Sequence, residues 1–275
     1  MVTNNEQLLG VIQVINARGP KGGLRAFNQE DELLITHFAE HATLALQRAQ
    51  LTRTILLRMI KMAEIRDPKE TGPHVNRVAG YATEIYLRYA KRKNISEQEI
   101  KRNSDIFKMA AMLHDVGKVG ISDLILKKPG RFTDEEYALM KGHTLMGAKL
   151  FINKQSEFDD MAAQVALTHH ERWDGKGYPG HVDVHTEEAK ITDKKTGKPK
   201  GLKGEEIPLW GRIVAIADVY DALSSKRVYK EAWTEDDVLA EIKNSAGKSF
   251  DPELVDIFFE ALPQLRQISE RYPDD

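Results

Sequence analysis

Apolar and small residues recur at Ile35, Phe38, Ala42, Ala45, Ala49, Thr52, Leu56, Met59 and Ala63. The alternating steps of three and four keep one seam for four heptads. Asn28-Gln-Glu-Asp31 stands just before it and carries the residue types of a helix N-terminal cap with its reciprocal acid. The pattern predicts a continuous helix over 30–66, about 55 Å long at 1.5 Å per residue. Such a seam pairs two chains, so a homodimer through this N-terminal helix is expected. Ahead of it, Gly10–Ala17 has a β-branched run and reads as one strand, too short to be a domain.

Beyond residue 50 the periodicity is helical almost throughout. Gly72-Pro73 opens a helix whose face runs through Val75, Val78, Ala82, Ile85 and Tyr89. Capping sequences at Ser96–Glu99, Thr133–Glu136 and Thr234–Asp237, and Asp251-Pro252, start four more. A helix over about 160–170 ends at His169-His170, and a strongly apolar one runs from Trp210 to Leu223. With no ladder of strands supported, the fold class is all-α. The main domain covers residues 50–275, and residues 1–49 form a separate N-terminal piece. Within the main domain, residues 181–200 are a polar insertion, in which Val182 and Val184 alternate with polar neighbours and suggest a small hairpin.

Composition narrows the partners. With 275 residues, 41% hydrophobic and 30% charged, the chain can bury a sizeable core. A formal net charge of -2 gives no global field that would draw a DNA or RNA polymer. The absence of cysteine excludes disulfides, thiolate metal sites and a cysteine nucleophile. No apolar run approaches the roughly 20 residues of a membrane helix, so a cytoplasmic protein is expected.

Chemistry is concentrated in the histidines and the acids beside them. The candidate metal ligands are Glu70, His74, His114, Asp115, His143, His169, His170 and Asp218. Imidazole and carboxylate without sulfur suit iron(II), manganese(II) or zinc. Eight ligands are too many for one ion, whereas two or three ions sharing bridging groups would use them. Adjacent side chains on a helix point about 100° apart. His114 and Asp115 can therefore serve two neighbouring ions if the carboxylate bridges through its two oxygens. The bland alternatives are a hydrogen-bonded His–Asp pair in the core and a surface pair at His169-His170.

Several ordered blocks carry a family resemblance: RDPKETGPH, AAMLHDVGKVGISDLILKKPG, MKGH, LTHHERWDGKGYPG, GLKGEEIPLWGRIVAIADVYDALSSKRVYK and AGKSFDP. Over about residues 55–262 they resemble the HD-GYP branch of the HD-domain metal-dependent phosphohydrolases. The resemblance implies an all-helical HD-domain bundle and a site of two or three divalent ions, iron or manganese. It also implies hydrolysis of cyclic dinucleotides, above all cyclic di-GMP, to pGpG and on to GMP, by attack of a metal-bridging hydroxide. His74, His114, Asp115, His143, His169, His170 and Asp218 match the family's ligands, with Asp115 as the bridge, and Glu70 resembles the subset that holds a third ion. Lys118 matches the catalytic lysine and, at i+4 from His114, shares its helical face. Arg227 and Lys230 match a clamp for the second phosphate. Tyr178 is expected near a guanine, and Asp123 in the loop after the lysine. The segment 181–200 departs from the family pattern. Residues 8–47 resemble the last strand and helix of a GAF sensor domain, which makes the N-terminal piece a remnant of one. The competing readings are a cyclic GMP-AMP phosphodiesterase and a catalytically silent binding module.

Overall fold

The computed structural model describes residues 2–4, 7–67, 72–225 and 233–274. The chain divides into two units, Met1–Met59 and Ile60–Asp275. In the first, strands β1 (Val2–Asn4) and β2 (Gln7–Gly10) pair antiparallel, and helix α1 (Gln29–Arg66) begins. The strand expected over Gly10–Ala17 does not form: β2 ends at Gly10, and among the described residues no strand pairs with the segment that follows. Val11, Val14 and Ile15 are exposed there. A β-branched run without a neighbouring strand has no ladder to join.

Helix α1 is continuous over its 38 residues. Its cap is reciprocal, since Asn28 Oδ1 accepts from the Asp31 N–H and Asp31 Oδ2 from the Asn28 N–H, both at 2.9 Å. The Arg25 guanidinium, together with that N–H, holds the Asp31 carboxyl down to about 2. Leu33, Phe38, Leu51 and Ile55 remain exposed along the helix.

The second unit is a helical bundle around α2 (Gly72–Arg92). This helix packs against α3 (Glu97–Met112), α8 (Leu209–Ser224) and α10 (Pro252–Arg271). Its buried face runs through Val75, Val78, Ala82 and Ile85, then Tyr86 and Ala90 in place of the half-buried Tyr89. Burial of each large apolar side chain contributes about 1.5–3 kcal/mol. The half-buried Trp210 packs against Tyr86 and Phe107, with ring centroids 5.0 and 4.8 Å away.

Shorter helices make up the rest of this unit. A 3-10 helix (Val116–Gly120) follows α3, then α4 (Asp123–Leu126), α5 (Asp134–Lys141), α6 (His143–Lys149) and α7 (Glu157–Thr168). A short 3-10 turn (Gly204–Glu206) precedes α8, and α9 (Glu235–Asn244) lies against α8. The insertion holds two turns rather than one hairpin. Val182 bridges Ala189, and Thr192 bridges Pro199. In each turn one aspartate closes the loop: Asp183 accepts from the N–H groups of His185 and Thr186, and Asp193 from those of Lys195 and Thr196. The D-x-x-T pattern, repeated ten residues apart, accounts for both.

The 3-10 helix lies flush on α6 at Gly117. A Cβ there would come within 1.9 Å of the His143 carbonyl oxygen and 2.4 Å of the Gly147 nitrogen. Both obstacles are backbone and cannot swing aside. Gly117→Ala is therefore expected to destabilise the bundle by about 3 kcal/mol, at the upper end of overpacking costs. Urea unfolding measures this, and an unchanged midpoint would contradict the close approach.

Candidate metal centre

Helix ends build this site. Residue Leu113 caps α3, so His114 and Asp115 lie in a turn between two helices and not on one helical face. His74 is in the first turn of α2, His143 opens α6, and His169 caps α7 with His170 next to it. Asp218 comes from the middle of α8. These side chains form two groups, Asp115 with His143, His169 and His170, and His74 with His114 and Asp218. In each group the candidate ligand atoms lie within 4.8 Å of one another.

The placement of the imidazole protons separates this arrangement from an ordinary polar core. The Nδ1 atoms of His114, His143 and His169 face the carbonyl oxygens of Ala111, Met140 and Val165 at 2.9, 2.7 and 3.0 Å. A carbonyl only accepts, so each Nδ1 carries the hydrogen and each neutral ring turns an Nε2 lone pair the other way. His74 Nδ1 likewise lies 2.8 Å from Asp221 Oδ2. Asp115 Oδ1 lies 3.1 Å from His143 Nε2 and 3.6 Å from His169 Nε2, and its other oxygen 3.3 Å from His114 Nε2. His74 Nε2 and His114 Nε2 approach Asp218 Oδ1 at 3.8 and 4.0 Å. Asp115 Oδ1 is buried without a hydrogen-bond donor. Lone pairs converging on a carboxylate repel one another unless cations lie among them. Burial pushes His169 below, and His170 well below, the usual imidazole range, which keeps both rings neutral. Burial opposes the charge on Asp115, but the Lys118 ammonium beside it holds its carboxyl well below the ordinary range. The two donor groups therefore fit divalent cations.

Lys118 meets this carboxylate from another direction than its sequence spacing suggested. It lies on the 3-10 helix, i+3 from Asp115, with its Nζ 2.7 Å from Asp115 Oδ2 and 3.6 Å from Asp67. The i+4 relation to His114 fails because α3 ends at Met112. Tyr178 stacks on His170 at 4.9 Å and 27°. Asp123 is not among the residues lining the cleft and pairs instead with Lys127 at 3.0 Å and Arg66 at 3.3 Å. Arg66 in turn donates to the carbonyls of Val119 and Ile121, so Asp123 reaches the lysine's loop only through that arginine. Glu70, Arg227 and Lys230 lie outside the described residues.

Other members escaped sequence reasoning. Asp221, 1% exposed, holds His74 and also accepts from Arg77 Nε at 2.5 Å. These partners hold its carboxyl below the ordinary range despite burial. The signal was present: an acid inside the apolar α8, three residues after Asp218, and an arginine three residues after His74. Glu171 is equally buried and accepts the N–H groups of Gly180 and Leu202, tying together the two ends of the insertion. Burial outweighs those donors and pushes its carboxyl up to about 7. A cleft of about 580 Å³ opens beside the ligands, lined on its apolar side by Leu126, Phe132, Tyr137 and Met140.

An HD-domain profile matches residues 71–223, which contain both groups of candidate ligands. The chain belongs to the HD-domain family. A second HD-domain profile matches residues 194–254. Among curated relatives, a cyclic di-GMP phosphodiesterase response regulator of Xanthomonas campestris is 40% identical over 220 residues, 80% of this chain and 50% of that one. A 3'3'-cGAMP-specific phosphodiesterase of Vibrio cholerae is 35% identical over 86% of this chain and 40% of its own length. A cyclic di-GMP phosphodiesterase of Thermotoga maritima is 36% identical over 78% of this chain and 50% of its own. The chain thus spans about half the length of these relatives or less. No helix among the described residues of this HD-domain protein is long and apolar enough to cross a membrane.

Partners that orient a metal-bound histidine typically contribute 10- to 100-fold to affinity. Asp221→Asn keeps the shape but offers His74 a weaker acceptor. It is expected to weaken manganese(II) retention about 10- to 100-fold, measured by equilibrium dialysis with His74→Ala as the reference. Retention equal to the unsubstituted protein would contradict the orienting role.

Proposed function

We propose that this chain is an HD-GYP-type phosphodiesterase that hydrolyses cyclic di-GMP to pGpG and then GMP. The observation that carries this reading is Asp115, whose two oxygens face separate histidine groups while Lys118 lies against one of them. The His–Asp set would hold two iron(II) or manganese(II) ions. Bound there, such ions supply a water of lowered pKa and offset charge developing on phosphoryl oxygens.

The chain's own residues do the rest. Asp115 holds its charge and joins the two groups. The Lys118 ammonium faces the reacting phosphate, stabilises its transition-state charge and offers a proton to the departing ribose 3′-oxygen. The phosphorus–3′-oxygen bond breaks as the bond from water forms, opening the ring to a linear dinucleotide. Glu70 would add a third ion, and Arg227 and Lys230 would clamp the second phosphate through their charge. Tyr178, stacked on His170, borders the cleft where a guanine would lie. The α1 seam would pair two chains of a cytoplasmic enzyme, with residues 8–47 belonging to a GAF-like sensor. A second reading, 3'3'-cGAMP as substrate, draws on the Vibrio cholerae relative named for that specificity.

An anaerobic assay with iron(II) or manganese(II) tests the proposal, with products resolved by chromatography. Cyclic di-GMP should give pGpG and then GMP. Lys118→Met should lower kcat about 100-fold or more while the metal content stays the same. Metal-loaded protein that leaves both cyclic dinucleotides intact would overturn the proposal.

A further inference from the structure

The cleft beside the ligands has a second polar lining that the proposed chemistry does not use. Glu241 comes from α9, and Ser245, the residue capping that helix, donates its hydroxyl to Glu241 Oε1 at 3.1 Å. Glu241 belongs to neither ligand group, and no described basic side chain forms an ion pair with it. The nearby cation, Arg172, is already engaged: its guanidinium pairs with Asp174 at 3.0 Å and donates to Ser249 at 2.6 Å. This part of the cleft therefore presents a carboxylate with lone pairs to spare.

A carboxylate facing a substrate that carries two phosphodiester anions cannot serve its phosphates, because like charges repel. It must meet hydrogen-bond donors. Guanine presents N1–H and the N2 amino group side by side, a fork that both oxygens of one carboxylate can accept. Adenine presents an amino group beside the N1 lone pair, so one oxygen would face an acceptor. Resting on the reading of the site as a cyclic dinucleotide phosphodiesterase, we infer that Glu241, supported by Ser245, reads a guanine edge and makes one guanine a requirement for productive binding. Cyclic GMP-AMP can satisfy this requirement in one orientation only, which fixes which of its two phosphodiester bonds meets the metal ligands. Cyclic di-AMP cannot satisfy it at all.

The test is Glu241→Gln, a surface change that keeps size while presenting one acceptor and one donor, the complement of adenine's edge. The kcat/KM ratio of cyclic di-GMP to cyclic di-AMP should fall about five-fold or more, the lower range for a two-bond base contact at an exposed position. With cyclic GMP-AMP, the unsubstituted protein should yield one linear dinucleotide predominantly, and Glu241→Gln should lose or reverse that bias. Metal content should not change. An unchanged ratio and an unchanged product bias would overturn the inference. So would an equal loss on all three substrates, which would assign Glu241 to a ribose hydroxyl common to them. If the metal-loaded protein cleaves none of them, the proposed activity fails separately, and the ratio is read from equilibrium binding of cyclic di-GMP and cyclic di-AMP. Equal ratios for the two proteins, or binding of neither nucleotide, would then overturn the inference.

Discussion

An ionised carboxylate that is 9% exposed is costly to hold, and the architecture around Asp115 follows from that constraint. One oxygen takes the Lys118 ammonium at 2.7 Å. The other has no hydrogen-bond donor and faces imidazole nitrogens whose protons are committed elsewhere. Positive charge of matching size at the two oxygens resolves both the desolvation of the carboxylate and the mutual repulsion of the lone pairs. The same group therefore ties the 3-10 helix, α6 and α7 to one point in space.

Those proton commitments come from the way the helices end. Ala111, Met140 and Val165 each lie in the last turn of a helix, where a carbonyl oxygen keeps a lone pair to offer, and each accepts from the ring of a histidine just beyond that turn. Helix termination thus sets the tautomer of three candidate ligands. His74 begins a helix, and its Nδ1 faces the Asp221 carboxylate at 2.8 Å. That carboxylate is in turn held by Arg77, which also donates to the Tyr272 carbonyl at 2.7 Å and pairs with Asp274 at 2.8 Å. The ring orientation at the first ligand is coupled in this way to the end of α10. The close contact at Gly117 does the corresponding work for Lys118, bringing its helix against the turn that carries His143.

Much of this was legible in the residues. Capping sequences located helix starts because a side-chain acceptor three residues ahead of an acid has a specific geometric use, and Thr133 with Glu136 forms the full reciprocal box. The described His and Asp residues named from the sequence as metal ligands come together, whereas Asp123 does not, because charged and imidazole groups directly after apolar helical runs must find partners inside. The rest depended on information that periodicity does not hold. The Gly10–Ala17 run looked like a strand from side-chain type alone, but a strand exists only beside another. Lys118 was given α-helical spacing, whereas the chain leaves α geometry after Met112. Asp221 and Arg77 were hidden by the ordinary reading of charges on a helix as a solvated face, and only packing reveals them as buried. The insertion's repeat was visible in its letters, but its two turns depend on backbone closure by Asp183 and Asp193.

The most direct test of the bridging role of Asp115 is a crystal structure of anaerobically prepared, manganese-loaded protein, with anomalous scattering used to locate the ions. The account predicts two peaks sharing the Asp115 carboxylate, one against Oδ1 with His143 and His169 and one against Oδ2 with His114. A single peak, or ions bound without contact to Asp115, would contradict it.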